Sequence, residues 1–94
     1  MRILGLDVGS KTIGVACSDA LLLTAQAVGT LKRQSRRKDC LALADICKEK
    51  EVHRIVVGKP SHMNGDKSAN TEKIEQFVEE LKKTVPQTEI VWWD

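Results

Sequence analysis

Two short apolar runs near the N-terminus are separated by only three residues, and this spacing strongly constrains the fold. Residues 2–8 and 12–18 are rich in aliphatic and β-branched side chains, which favours β-strands. The intervening Gly9-Ser10-Lys11 is typical of a tight turn. Because parallel strands need a much longer connection, we expect these two strands to pair antiparallel.

Two amphipathic helices and three more strands are predicted after this hairpin. Strands are expected over 24–31, 52–57 and 89–93, and helices over 35–50 and 67–84. Both helices are predicted from apolar residues spaced i, i+3, i+4 and i+7. In the first helix these are Cys40, Leu43, Ala44 and Cys47, and in the second Ile74, Phe77, Val78 and Leu81. The order β-β-β-α-β-α-β predicts a single α/β domain over residues 1–94. Its sheet is mixed, with the first strand and the last two parallel.

Composition excludes several other classes of protein. The chain has 94 residues, of which 41% are hydrophobic and 30% charged, so it is neither disordered nor collagen-like. No apolar run approaches the roughly 20 residues of a membrane-spanning helix. Asp7 interrupts the stretch that a signal peptide would need, and the odd number of cysteines favours reduced thiols. We therefore expect a cytoplasmic protein with no membrane partner.

The positive charge is concentrated in the first third of the chain. Residues 1–38 carry a net charge of +5, whereas residues 39–94 carry −3. Lys32-Arg33 and Arg36-Arg37-Lys38 lie at the entry to the first predicted helix, where cations oppose the helix dipole. Such a cluster is interpreted either as a contact for nucleic-acid phosphates or as an ordinary solvated surface.

Asp7 is the acid that the sequence singles out. It lies in an apolar strand, and an acid buried there would need compensation of its charge. One interpretation is a carboxylate that coordinates Mg²⁺ or Mn²⁺ at the sheet edge, where Asp7, the 58–66 loop and Asp94 are expected to gather. The other is an Asp whose side chain caps the following turn.

Three motifs in this order resemble the YqgF/RuvX family across essentially the whole chain. They are Asp-x-Gly-x-Lys-x-x-Gly at 7–14, Val56-Val57-Gly58-Lys59-Pro60 followed by Met63-Asn64-Gly65, and the terminal Val91-Trp92-Trp93-Asp94. The resemblance implies a ribonuclease H-like fold and a nuclease that processes the 5′ end of precursor 16S ribosomal RNA. It also implies, as an alternative, a Holliday junction resolvase acting on branched DNA.

The resemblance assigns roles to individual residues. Asp7 matches the first catalytic acid and a ligand of the metal, and Asp94 matches the first residue of an Asp-Glu-Arg motif and is a second candidate ligand. The remaining matched residues border the site, in a glycine-rich turn and a loop: Gly9, Lys11, Gly14, Gly58, Pro60, Asn64 and Gly65. We expect Lys59 to lie on the same edge and to contact nucleic acid, as Lys11 does.

The chain departs from the family pattern at its end. It stops at Asp94, before the Glu and Arg of the motif and before the final helix with its further acid. Two-metal hydrolysis of a phosphodiester needs several carboxylates, so Asp7 and Asp94 alone are expected to hold only a weak site for Mg²⁺ or Mn²⁺. This leaves open whether the 94-residue chain is active by itself.

Two further functions remain open at the level of sequence. Actin-like ATPases also begin with a strand that carries Asp-x-Gly, although they need two such subdomains. A non-catalytic nucleic-acid-binding module would keep the fold without the chemistry. ATP–Mg²⁺ would stabilise only the first, and nucleic-acid affinity that falls steeply with salt would identify the second.

Overall fold

A computed structural model describes residues 2–18, 25–58 and 69–93. Five strands and two helices follow the predicted order. The elements are β1 (Arg2–Val8), β2 (Thr12–Ser18), β3 (Ala25–Lys32), α1 (Arg36–Lys50), β4 (Val52–Gly58), α2 (Ala69–Thr84) and β5 (Glu89–Trp93). Four of the seven begin or end one or two residues from the predicted positions, and β1, β2 and β5 agree at both ends.

The five strands form one mixed sheet in the order β3-β2-β1-β4-β5. β2 pairs antiparallel with both β1 and β3, whereas β4 pairs parallel with both β1 and β5. The parallel pairs are those whose connections contain a helix, as predicted. β1 is therefore the central strand, with β2 on one side and β4 on the other.

One face of the sheet carries the core. Alternate residues of β1, β2 and β4 are buried in a single cluster with residues of both helices. From the sheet the cluster takes Leu4, Leu6, Val8, Ile13, Val15, Cys17, Val52, Ile55 and Val57, and from the helices Cys40, Leu43, Cys47, Ile74, Phe77, Val78 and Leu81. The apolar spacing that predicted the helices is therefore the spacing of their buried faces.

The ends of α1 are fixed by local hydrogen bonds. The Ser35 hydroxyl accepts from the Lys38 amide at 3.1 Å, which satisfies one of the free N–H groups of the first turn. At the other end Glu51 adopts a left-handed conformation (φ 54°), and its backbone amide donates hydrogen bonds to the carbonyls of Cys47 and Lys48. The chain then enters β4 directly at Val52. Neither helix in the described part of the chain is long and apolar enough to span a membrane.

The outer strand β3 is irregular. Val15 pairs with Gly29 and Ala16 with Ala27, so Val28 is an extra residue in the ladder. Gly29 has φ 148°, which side chains rarely adopt, and glycine permits this bulge.

Two leucines on α1 provide a matched test of the core. Leu43 is fully buried, whereas Leu41 is 48% exposed. We expect Leu43→Ala to lower the free energy of unfolding by about 2–5 kcal/mol and Leu41→Ala to change it by about 0.5 kcal/mol or less. Urea denaturation would measure both, and equal losses would contradict the helix orientation described above.

Candidate active site on the open face of the sheet

Asp7 lies on the face of the sheet opposite the core, close to the carboxyl end of β1. Its neighbours Leu6 and Val8 are buried, but the Asp7 side chain is exposed. The expectation that Asp7 is an acid within a buried strand was therefore wrong. Successive side chains of a strand point to opposite faces, so the carboxylate of Asp7 reaches solvent while its neighbours reach the core.

Glycines flank Asp7 on both neighbouring strands. Gly14 of β2 is its direct partner, and Gly58 of β4 follows Val57, which pairs with Leu6. A Cβ at Gly14 would lie 3.5 Å from the Asp7 Cβ, and one at Gly58 would lie 3.6 Å from the Leu6 carbonyl oxygen, both ordinary contacts. Since packing does not demand glycine at either position, the glycines instead leave the surface beside the carboxylate open.

An open cavity of about 470 Å³ occupies this face. It is lined mainly by small residues of β1, β2, β3 and β4, together with Asp7 and with Trp93 of β5, which pairs with Gly58. Trp93 is 68% exposed. Among the described residues Asp7 is the one acid that lines the cavity.

The Asp7 carboxylate suits a hard cation. Carboxylate oxygens are preferred ligands of Mg²⁺ and Mn²⁺, and the open surface leaves room for water and phosphate oxygens as further ligands. Across residues 2–18, 25–58 and 69–93 there is no group of three His, Cys, Asp or Glu that could hold a metal. The described residues therefore supply one protein ligand, and a complete site needs more.

The turn after β1 explains Gly9. The Gly9 amide donates to the Thr12 carbonyl at 2.8 Å, and a Cβ on Gly9 would lie 3.0 Å from the same oxygen. A side chain at Gly9 would therefore make a tight contact with the backbone of β2, which favours glycine here. Lys11 lies exposed on this turn, where its ammonium group can meet an anion approaching the edge of the sheet.

The Arg33 side chain is hydrogen-bonded to this turn. Its Nη1 donates to the Gly9 carbonyl at 2.7 Å, and its Nε donates to Oδ2 of Asp39 at 2.8 Å. Asp39 is only 4% exposed, and its Oδ1 accepts from the Gln34 amide at 3.0 Å. The guanidinium also lies 5.1 Å above the ring of Phe77. A partly buried ion pair therefore connects the turn beside Asp7 to the start of α1.

The predicted basic cluster separates into residues with different roles. Arg33 is neutralised by Asp39, so the interpretation of the whole cluster as one phosphate contact, or as one solvated surface, does not fit this residue. Arg36, Arg37 and Lys38 are exposed. The sequence signal that could have revealed the pair is the single acid, Asp39, within the first turn of a helix that otherwise begins with three cations.

Five predicted site residues lie outside the described residues. These are Lys59, Pro60, Asn64 and Gly65 of the predicted 58–66 loop, and Asp94 at the end of the chain. Their assigned roles remain predictions. Within the described part, the structure brings Asp7, Gly14 and Gly58 together on one face and places Gly9 and Lys11 on the adjoining turn.

The three cysteines belong to the core and not to a metal site. Cys17, Cys40 and Cys47 are free and buried. Burial raises the pKa of the Cys40 and Cys47 thiols from 9.0 to about 11, with the charges of Glu80 and Asp39 adding to the effect at Cys40. Because metals bind the thiolate, these protonated thiols are poor ligands near neutral pH.

Comparison with known proteins decides the family. The family model of RuvX, described as Holliday junction resolvase, matches residues 1–94. The chain belongs to the RuvX family. It is 50% identical over 94 residues to a protein of Clostridium tetani and over 93 residues to one of Clostridioides difficile, each named "Putative pre-16S rRNA nuclease". These matches cover 100% and 99% of the chain, and the chain spans 67% and 65% of the relatives, about two thirds of their length.

Solved structures confirm the predicted ribonuclease H-like fold for this RuvX chain. Thermus thermophilus RuvC bound to a Holliday junction superposes with a TM-score of 0.71 at 10% identity, covering 99% of the chain and 64% of RuvC. The Fowlpox virus resolvase in complex with junction DNA gives 0.55 at 21% identity, with 99% and 60% covered. A Bacteroides thetaiotaomicron protein of actin-like ATPase fold gives 0.61 at 14% identity, with 98% and 32% covered. At these identities the likeness concerns the fold alone.

The Arg33–Asp39 pair makes a specific prediction about stability. Arg33→Met leaves a buried carboxylate without its cation and releases the Gly9 carbonyl, so we expect the free energy of unfolding to fall by about 1–3 kcal/mol. The same change at the exposed Arg36 should cost about 0.5 kcal/mol or less. Chemical denaturation of the two variants tests this, and equal costs would mean that the ion pair does not hold the turn.

The raised thiol pKa values predict a loss of stability in alkali. Between pH 9 and about 11 the unfolded chain releases the Cys40 and Cys47 protons while the folded chain retains them, so stability falls as pH rises. The denaturation midpoint should decline less steeply in Cys40→Ala/Cys47→Ala. An identical decline would mean that Cys40 and Cys47 do not cause the pH dependence.

Proposed function

We propose that this chain carries part of the active site of a metal-dependent nuclease that processes the 5′ end of precursor 16S ribosomal RNA. The observation that carries the proposal is the exposed Asp7 carboxylate between two glycine-bearing strands. In a member of the RuvX family, that carboxylate is the group available to hold a catalytic cation. The name of the relatives at 50% identity favours ribosomal RNA as the substrate.

The residues around Asp7 suit a phosphodiester. Asp7 would hold Mg²⁺ or Mn²⁺ through its oxygen atoms. When bound, such an ion supplies Lewis-acid polarisation of the phosphate and lowers the pKa of a coordinated water. The absence of side chains at Gly14 and Gly58 lets a phosphate group and its ribose come close to the carboxylate. Arg33 fixes the turn that follows Asp7, so it positions the carboxylate.

Asp94 and the 58–66 loop complete the proposal. Asp94 is a second metal ligand, and Lys59 and Asn64 contact the nucleic acid beside the site, as the family motifs imply. With two carboxylates the ion would bind weakly, so we expect slow cleavage that rises steeply with the Mn²⁺ concentration.

Junction resolution is the second candidate function. The family description and the two junction-bound structures favour it. A resolvase cuts two strands related by symmetry, so it needs two active sites and hence a dimer. Precursor processing at a single site has no such requirement.

Asp7→Asn gives the direct test of the nuclease. The chain and this variant would be incubated with Mn²⁺ and either a structured precursor of 16S ribosomal RNA or a four-way DNA junction. We expect cleavage of the RNA by the parent and a loss of at least about 100-fold in the variant, because even the outer-shell partners of a metal contribute roughly 10–100-fold. Because Asp7 is exposed, the melting temperature should barely change.

Asp45→Asn is the matched control, since Asp45 is an exposed acid on α1, away from the cavity. It should cleave as the parent does. If the parent cleaves the junction and not the RNA, the function of the chain is junction resolution and not RNA processing. Equal cleavage by the Asp7 variant, or no cleavage of either substrate by the parent, would contradict the proposed function of this chain. Stabilisation by ATP–Mg²⁺ would then point to the actin-like alternative.

A further inference from the structure

A second concave site lies beside the turn that follows Asp7. A cleft of about 190 Å³ runs between the β1–β2 turn and the N-terminal parts of α1 and α2. Its walls include Gly9 and Ser10 of the turn, Ser35 and Arg36 at the start of α1, and Lys73 of α2. Gly9 is two residues beyond Asp7, so this cleft and the open face of the sheet meet at the same turn.

Among the described residues, the cleft carries more positive than negative charge. Its one acid among the described residues, Asp39, is already bound to Arg33 and to the Gln34 amide. Arg36 donates from Nη2 to the amide oxygen Oε1 of Gln76 at 2.8 Å, a neutral partner that orients the guanidinium without cancelling its charge. Across residues 2–18, 25–58 and 69–93 no salt bridge involves Arg36 or Lys73. Two exposed cations on different helices therefore face one small polar space.

This arrangement is suited to an anion with several oxygen atoms. A guanidinium offers planar paired donors to a phosphate, and a lysine ammonium adds a mobile point charge. The Ser10 hydroxyl supplies a further polar group on the turn side. The oxygen-rich anion that a nuclease of this kind meets in repeated copies along its substrate is the sugar–phosphate backbone.

We propose that the cleft binds a backbone phosphate of the nucleic-acid substrate at a position other than the one at Asp7, with Arg36 and Lys73 as the contacting side chains. The inference rests on the proposed function, because that function supplies nucleic acid as the partner. A phosphate held here fixes the strand relative to the Gly9 turn and so sets which phosphodiester reaches Asp7. The contact carries no base information, so it acts equally on all sequences.

The salt dependence of binding tests the proposal without any cleavage. All variants carry Asp7→Asn, and their affinity for a fluorescein-labelled RNA hairpin is measured by anisotropy over a range of KCl concentrations. For Arg36→Gln/Lys73→Gln we expect roughly tenfold weaker binding or more. The slope of log affinity against log salt should be shallower by roughly 0.7–0.9, because one backbone phosphate is no longer neutralised by the protein.

Two control variants separate the phosphate contact from net charge and from folding. Lys48→Gln/Lys83→Gln removes one cation from the last turn of each helix, and should leave the slope unchanged. Arg36→Lys/Lys73→Arg keeps both charges in the cleft and should retain most of the affinity. The proposal is overturned if Arg36→Gln/Lys73→Gln has the same affinity and salt slope as Lys48→Gln/Lys83→Gln. It is also overturned if Arg36→Lys/Lys73→Arg loses as much affinity as Arg36→Gln/Lys73→Gln, or if the hairpin does not bind.

The two proposals fail separately. If the chain binds RNA through Arg36 and Lys73 but cleaves nothing, the proposed phosphate site stands and the proposed nuclease function is contradicted. If cleavage depends on Asp7 but the salt slope does not change when Arg36 and Lys73 are substituted, the nuclease function stands and the proposed phosphate site is contradicted.

Discussion

β1 is hydrogen-bonded on both sides, and the alternation of its side chains governs the rest of the molecule. With β2 and β4 fixed as partners, each β1 residue must face either the helices or the open surface. Leu4, Leu6 and Val8 face the helices and anchor the core, while Gly5 and Asp7 face the cavity. A shift of one residue in register would bury the carboxylate and expose the leucines, so stability of the core and placement of the site depend on one register.

The sequence was sufficient to predict the elements, their order along the chain, the antiparallel pairing of β1 with β2 and the parallel directions of β1, β4 and β5. The reason is that helical spacing around Leu43 and Phe77 is unambiguous, and connection length decides between parallel and antiparallel pairs. The surroundings of Asp7 were not predictable in the same way. Residues 2–8 form one apolar run in the sequence, and only the pairing with β2 and β4 reveals that one of the two faces has no helix over it among the described residues.

The Arg33–Asp39 pair shows a second limit of sequence reasoning. Five cations in seven residues resemble a uniform basic surface, and nothing in their spacing says that one of them turns inward. Arg33 does so because the β3–α1 connection brings it below the Gly9 turn and above Phe77, where Asp39 can neutralise it. Its neighbours remain on the surface. A linear charge pattern therefore mixes a structural cation with others that can meet a ligand.

The bulge at Val28 and Gly29 has a consequence for how this chain behaves at high concentration. β3 is an outer strand, and a straight outer strand offers its free N–H and C=O groups as a template for another molecule. The extra residue and the unusual φ of Gly29 break the regular repeat of those groups and increase the local twist. A second copy of the chain would have to bend its own strand to match. The irregularity thus acts as a barrier to sheet extension and aggregation, and its Gly29 also lines the cavity that holds Asp7.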